Sequence, residues 1–215
     1  MAQIFPKWVD KIPKRLQLAT ILIVTAIIFG FWYFGSPEYL EVGYAPNQPI
    51  PYSHKFHVAE LGIDCQYCHG TAWESAIAAI PSTETCMNCH EYVALDSDKL
   101  EPLRDSWETG NPVEWIRVHD VPDHAYFNHS AHVNVGIGCA TCHGRVDRME
   151  VVMKTESMSM GWCLDCHNNP GPNLRPVEEV TNMAWEPPDD HYQFAQMIIE
   201  KRNINAPVYC NACHR

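Results

Sequence analysis

The chain has 215 residues, ten cysteines, twelve histidines and a formal net charge of −11 with histidine neutral. That charge excludes a nucleic-acid-binding protein, which needs a basic stripe, and leaves solubility or the steering of a basic partner as its use. Ten cysteines exclude an ordinary reduced globular domain, because thiols at this density are disulfides, metal ligands or cofactor attachments.

In chain order the first element is apolar. Residues Leu16 to Gly35 carry no charge, and a run of ~20 such residues spans a hydrocarbon core as one helix. Trp32 and Tyr33 fall near its end, where amphipathic rings favour the headgroup region. Lys7, Lys11, Lys14 and Arg15 precede it, and Glu38 and Glu41 follow. The positive-inside rule therefore sets the N-terminus in the cytoplasm and sends everything after about residue 36 outward. The apolar run exceeds the ~7–15 residues of a signal-peptide core and no A-x-A-like site follows it. Residues 1–36 are expected to be an uncleaved signal-anchor, and 37–51, with Pro46, Pro49 and Pro51, an extended linker to an outer domain over 52–215.

Five copies of C-x-x-C-H use all ten cysteines: Cys65, Cys68 and His69; Cys86, Cys89 and His90; Cys139, Cys142 and His143; Cys163, Cys166 and His167; Cys210, Cys213 and His214. This is the attachment signature of c-type haem, and chance from this composition would produce roughly 0.03 copies. Two thiols at that spacing each add to one vinyl group, and the adjacent imidazole binds iron. Zinc sites do not require a histidine after every pair, and five pairs leave one over. Disulfide oxidoreductases use one C-x-x-C on a thioredoxin-like fold. Five covalent haem c groups are the expected cofactors, and their attachment after export matches the side of the membrane reached from the lysines.

Seven histidines remain for the second axial positions: His54, His57, His119, His124, His129, His132 and His191. Five irons need at most five, so the supply suits six-coordinate, low-spin haems with no open iron for a substrate. An internal repeat singles out four of them. Ser53-His54-x-x-His57-Val58 precedes Gly62-Ile63-Asp64-Cys65, and Asn128-His129-x-x-His132-Val133 precedes Gly136-Ile137-Gly138-Cys139, with one residue of length difference. A second C-x-x-C-H follows each. The chain thus divides into dihaem modules at about 52–111 and 112–176 and a fifth haem in 177–215, a repeat architecture. H-x-x-H sets two imidazoles on neighbouring helical turns, one for its own module's haem and one for an adjacent haem. His54, His57, His129 and His132 are the expected distal ligands. For the fifth iron His119 ranks first and Met160 second, with His124, His191 and Met183 in competition. A thioether would raise that haem's potential, while a methionine packed on a porphyrin face is the plainer use of that side chain.

The fold expected is mainly α with much irregular loop, a multihaem cytochrome packed around five haems that form much of the core, plus one transmembrane helix. A longer amphipathic helix is expected over 189–202, capped by Asp189 or Asp190, with Phe194, Met197 and Ile198 on one face.

With anchor and repeat together, the chain resembles the pentahaem cytochrome c subunit of bacterial alternative complex III, a quinol:electron-acceptor oxidoreductase. The resemblance covers essentially the whole chain. It rests on the anchor, on PYSHKFHVAELGIDCQYCH, on WETGNPVEWIRVHDVPDHAYFNHSAHVNVGIGCATCHGRVDRMEVV and on SMGWCLDCHNNP. It implies a non-catalytic electron-transfer subunit on the outer face of a bacterial inner membrane. The implied partners are a polytopic quinol-binding subunit, an iron–sulfur protein, a monohaem cytochrome c and a terminal oxidase. A self-sufficient anchored multihaem quinol dehydrogenase is the alternative. A multihaem reductase is disfavoured because every motif here ends in histidine.

Overall fold

This computed structural model describes residues 4–214, so residues 1–3 and 215, the outer ends of the expected anchor and haem segments, lie outside the described residues. The chain divides into two compact units, Met1–Glu41 and Val42–Arg215.

The first unit is helical. α1 (Ile12–Phe34) starts after Lys11 with a proline in its first turn, where the missing N–H costs no bond. It stops at Gly35, and the short α2 (Pro37–Leu40) follows, its first turn capped by the Ser36 hydroxyl. With one preceding turn, Val9–Phe34 is long and apolar enough to cross a membrane, and none of its residues is buried by protein.

The second unit is short helices joined by loops. Its helices are α3 (Cys65–His69), α4 (Thr83–His90), α5 (Glu101–Thr109), α6 (His129–Val133), α7 (Cys139–His143), α8 (Met160–Asn168), α9 (His191–Arg202) and α10 (Cys210–Cys213). Among the described residues there is no strand; two isolated bridges, Ala125 with His214 and Ile137 with Leu174, are the extended pairings present. A mainly helical, loop-rich fold is what the sequence predicts.

The repeat has the same build twice. Each H-x-x-H stretch turns helically, passes through a left-handed glycine (Gly62 at φ 72°, Gly136 at φ 99°) and enters a one-turn helix at the first cysteine. The Ile63 amide donates to the His57 carbonyl at 3.1 Å, and the Ile137 amide to the His132 carbonyl at 3.0 Å. The first bond spans one residue more than the second. That extra residue is absorbed by a wide π-type turn over Lys55–Glu60, where α6 has the ordinary pitch.

Residues 42–51, expected as linker, pack within the second unit. The Lys154 amide donates to the Tyr44 carbonyl, and the Gln48 side-chain amide trades two bonds with the Ile116 backbone at 2.8 and 2.9 Å. Ile50 is buried with Met87 and Leu103. The three prolines stiffen this stretch, but Ile50 gives it an apolar face to bury, which holds it against α4 and α5.

A second small core joins Ile137, Leu174 and Ile198. It includes α9, which begins two residues later than expected, and the Asp190 side chain makes no capping bond. Ala195 and Ile198 are buried on it, with Phe194 and Ile199 beside them, whereas Met197 is exposed. At about 100° per residue the pairs 194/198 and 195/199 share one face and 197 turns off it.

The segment 174–182 ties both repeats together. The Arg175 amide donates to Gly136, the Cys139 amide to Val180, and the Thr181 hydroxyl to the Asp64 carboxylate.

Candidate metal centres

Each C-x-x-C-H lies on a helical turn, so its cysteines at i and i+3 share one side and the histidine at i+4 sits beside them. In α3, α7 and α10 the motif opens the helix; in α4 and α8 the helix begins three residues earlier. All ten cysteines are free thiols. Burial is the first cause that pushes the Cys65 thiol up to about 11 and the Cys142 thiol up to about 12. Among the described residues no three His, Cys, Asp or Glu side chains converge as a cage for a bare metal ion. The donors come instead as opposed imidazoles.

Two imidazoles bound to one iron from opposite faces place their ring centroids about 6 Å apart, from a metal–nitrogen bond of roughly 2 Å plus about 1 Å to the ring centre on each side. His57 and His90 stand at 6.3 Å, His132 and His167 at 6.0 Å, and His129 and His143 at 6.4 Å. The first two pairings repeat each other: the second histidine of H-x-x-H faces the second motif of its own module. His54 is half-buried, with its Nδ1 enclosed and without a partner, and after burial His69 is the largest influence lowering its pKa.

The hydrogen bonds of these rings follow one rule. Nδ1 donates to a backbone carbonyl in His57 (Ser53, 2.9 Å), His69 (Ala79, 3.0 Å), His90 (Val93, 3.3 Å), His129 (Ala76, 2.9 Å), His132 (Asn128, 2.7 Å), His167 (Pro207, 2.6 Å) and His214 (His124, 3.1 Å). A carbonyl accepts and never donates, so these bonds put the proton on Nδ1 and leave Nε2 as a bare lone pair; at His129 the Ala78 amide also reaches Nδ1, at 3.4 Å, the longer of its two contacts. That is the second-shell arrangement of a metal-bound histidine. Burial also pushes several imidazoles below the usual histidine range, His54 to about 4 and His143 to about 3. The neutral ring is the ligating form.

His191 obeys the opposite rule. Its Nε2 donates to the Gly171 carbonyl at 3.1 Å, so its ligating nitrogen is spent on holding α9. His119, ranked first for the fifth iron, does not face the fifth motif. Its ring meets His143 edge-on at 4.3 Å, nearer than an intervening iron permits, with Nε2 buried and unpartnered. His124 faces that motif instead, 5.4 Å from His214 and within 26° of parallel. The Ala125–His214 bridge and the Tyr126 amide to the Cys213 carbonyl hold it there. Met160, ranked second, opens α8 and is exposed.

Sequence reasoning missed two aromatic residues. Tyr52 stacks on His57 (4.3 Å) and meets His54 edge-on (4.8 Å); Phe127 stacks on His132 (4.5 Å) and meets His129 edge-on (4.8 Å). Each lies two residues before its H-x-x-H, so the repeat extends to (Y/F)-(S/N)-H-x-x-H-V. The signal was an aromatic at one register in both copies.

Around these rings protein atoms alone make a thin core: Leu174 and Val180 are the largest fully buried side chains among the described residues. Phe56, Leu61, Tyr67, Ile77 and Val93 near the motifs keep exposed apolar surface, and a cleft of about 430 Å³ beside Cys86 is lined by Ile80, Leu103, Val113 and Trp115. Paired thiols, imidazole rings at centroid separations that an iron would span and apolar walls together fit covalently held haem.

Residues 125–215 match the family described as cytochrome c7 and related cytochrome c. Over 122 residues the chain is 33% identical to the menaquinone reductase multiheme cytochrome c subunit of Nitratidesulfovibrio vulgaris, a match covering 56% of this chain. The chain spans about half the length of that relative, 55%.

Proposed function

We propose, from the match of residues 125–215 to cytochrome c7 and related cytochrome c, that the full chain is a multihaem c-type cytochrome and the electron-transfer subunit of a membrane quinol-oxidising complex of the alternative complex III kind. It carries five haems, one on each C-x-x-C-H. The observation that carries this reading is the Nδ1-to-carbonyl bonding shared by seven histidines, which leaves their Nε2 atoms free, together with the ring pairs at 6.0–6.4 Å. When bound, haem c supplies one-electron exchange at iron.

The chain's own residues do the rest. Each thiol pair would hold one haem covalently, with the motif histidine beside it as one ligand to the iron. His57 with His90, His132 with His167, His129 with His143, His54 with His69 and His124 with His214 would be the residue pairs that hold the five irons. Held by two histidines each, the irons would serve electron exchange and not substrate, and the chain would relay electrons without a catalytic centre of its own. The apolar helix Val9–Phe34 anchors it with the lysine-rich end in the cytoplasm and the haem unit on the periplasmic face. The relative's name attaches it to a menaquinone reductase; the same quinone chemistry run toward oxidation is the reading for this chain. The partners proposed are a quinol-binding polytopic subunit, an iron–sulfur protein and a monohaem cytochrome c, with a terminal oxidase beyond them.

The test is purification of the full chain in mild detergent, with haem counted by pyridine haemochrome and intact mass. Five haems, low-spin spectra, no carbon monoxide binding to the reduced protein at neutral pH, and co-purifying membrane subunits are expected. Carbon monoxide bound at one ferrous haem overturns the fully six-coordinate relay. Quinol oxidation by the isolated chain overturns the dependence on partners in favour of a self-sufficient dehydrogenase.

A further inference from the structure

The two copies of the repeat differ at one position in a way that touches redox chemistry. Immediately before the first cysteine the first copy has Asp64 and the second has Gly138. Asp64 is exposed, and its carboxylate caps the Gln66 amide at 2.7 Å. At Gly138 a side chain has no room, because the guanidinium of Arg175 occupies that space. Arg175 is 7% exposed, donates from Nη1 to the Asn182 carbonyl at 3.0 Å, lies 4.8 Å from the Trp185 ring centre and keeps Nε buried without a partner. Its backbone is locked by the 2.8 Å bond to the Gly136 carbonyl.

His143, in the motif that follows, is exceptional too. The other four motif histidines donate Nδ1–H to a carbonyl, whereas among the described residues His143 has no such acceptor.

Resting on the five-haem reading, we propose that the site Cys139–Cys142–His143 holds the highest-potential haem of the chain, and that the buried Arg175 guanidinium sets it there. Ferric haem carries one positive charge more than ferrous, and two features of this site favour the form with less charge. A buried cation beside the attachment cysteine repels the ferric state with little solvent screening. An Nδ1–H bonded to a carbonyl makes an imidazole a stronger donor to ferric iron, and His143 lacks that bond. The carboxylates that act on this site are Asp64, Glu156 and Glu179. Glu156 and Glu179 are tied up by the Trp162 indole and the Asn182 amide, and none of the three is fully buried, so solvent screens them where it does not reach Arg175.

The experiment is a spectroelectrochemical titration, followed by electron paramagnetic resonance, of the full holo-chain in detergent. R175Q should move the highest-potential component down and leave the other four in place, and R175K should keep it near its wild-type position. A highest component unmoved in R175Q, a different component moved, or an equal fall in R175K and R175Q overturns the proposal; the last makes Arg175 a packing residue. If R175Q fails to take up all its haems, the wild type still decides. On stepwise reduction the first haem to become diamagnetic by NMR must show cross-peaks to Leu174 and Val180, and cross-peaks elsewhere overturn the assignment. A haem count below five strikes the underlying reading and leaves the potential order to be judged separately.

Discussion

His57 and His191 are both half-buried imidazoles bonded to a backbone carbonyl, yet they spend opposite ring nitrogens on it. Nδ1 is used in His57, which keeps Nε2 for iron; Nε2 is used in His191, which keeps nothing accessible for it. His57→Ala should therefore convert one haem to a high-spin, carbon-monoxide-binding form, read by absorption and paramagnetic resonance. His191→Ala should leave every haem low-spin and instead cost about 1–3 kcal/mol in stability, because the Gly171 carbonyl loses its donor. The attachment motifs were readable in the sequence because covalent chemistry dictates their spacing. The repeat singled out His54, His57, His129 and His132 in the sequence because it duplicates them, and the structure sets His57, His129 and His132 across from motif histidines. At the fifth motif the sequence ranked His119 first and Met160 second. The placement of His124 rather than His119 beside His214 depends on a bridge between residues 125 and 214, which no local pattern announces.

Helices of one or two turns cannot hold themselves, so the elements of this fold are positioned by turns and by neighbours. The two repeat glycines show how differently the same turn can be supported. Gly62 has open space where a Cβ would project, while a Cβ on Gly136 would run into the Arg175 carbonyl. Both have the positive φ that penalises L-residues by about 1–2 kcal/mol. Gly62→Ala should lose about that much. Gly136→Ala should lose clearly more, or fail to assemble its second dihaem module, as read by thermal unfolding monitored at the haem bands. α9 illustrates the limit of reading an element from its own residues. Its apolar positions forecast a helix correctly, but the face it buries follows from Leu174 and Ile137 lying across from Phe194 and Ile198.

Taken as one object, the second unit has small cores and much apolar surface beside its motifs. The stabilising interior that a chain of this size needs must include the porphyrins. Expressed without haem attachment, the chain should therefore show weak helical dichroism, no cooperative melt and rapid proteolysis, and the loaded chain should show a sharp transition. A compact, protease-resistant haem-free chain would contradict this. The fold class was forecast from the scarcity of periodic stretches between motifs, but the long-range contacts were not, because Thr181 with Asp64 and Arg175 with Gly136 join residues distant in sequence.

The carbonyls that orient the histidines also set an order of events. His69 takes its orientation from Ala79, ten residues downstream, but His167 waits for Pro207, forty residues on, and His214 reaches back ninety residues to His124. Folding from the N-terminal side thus forms the first motif's support long before those of His167 and His214. Contacts at such sequence separation close late and slow the folding of the unit. The stretch 207–214 then acts as the latch, closing bonds with residues forty and ninety positions earlier.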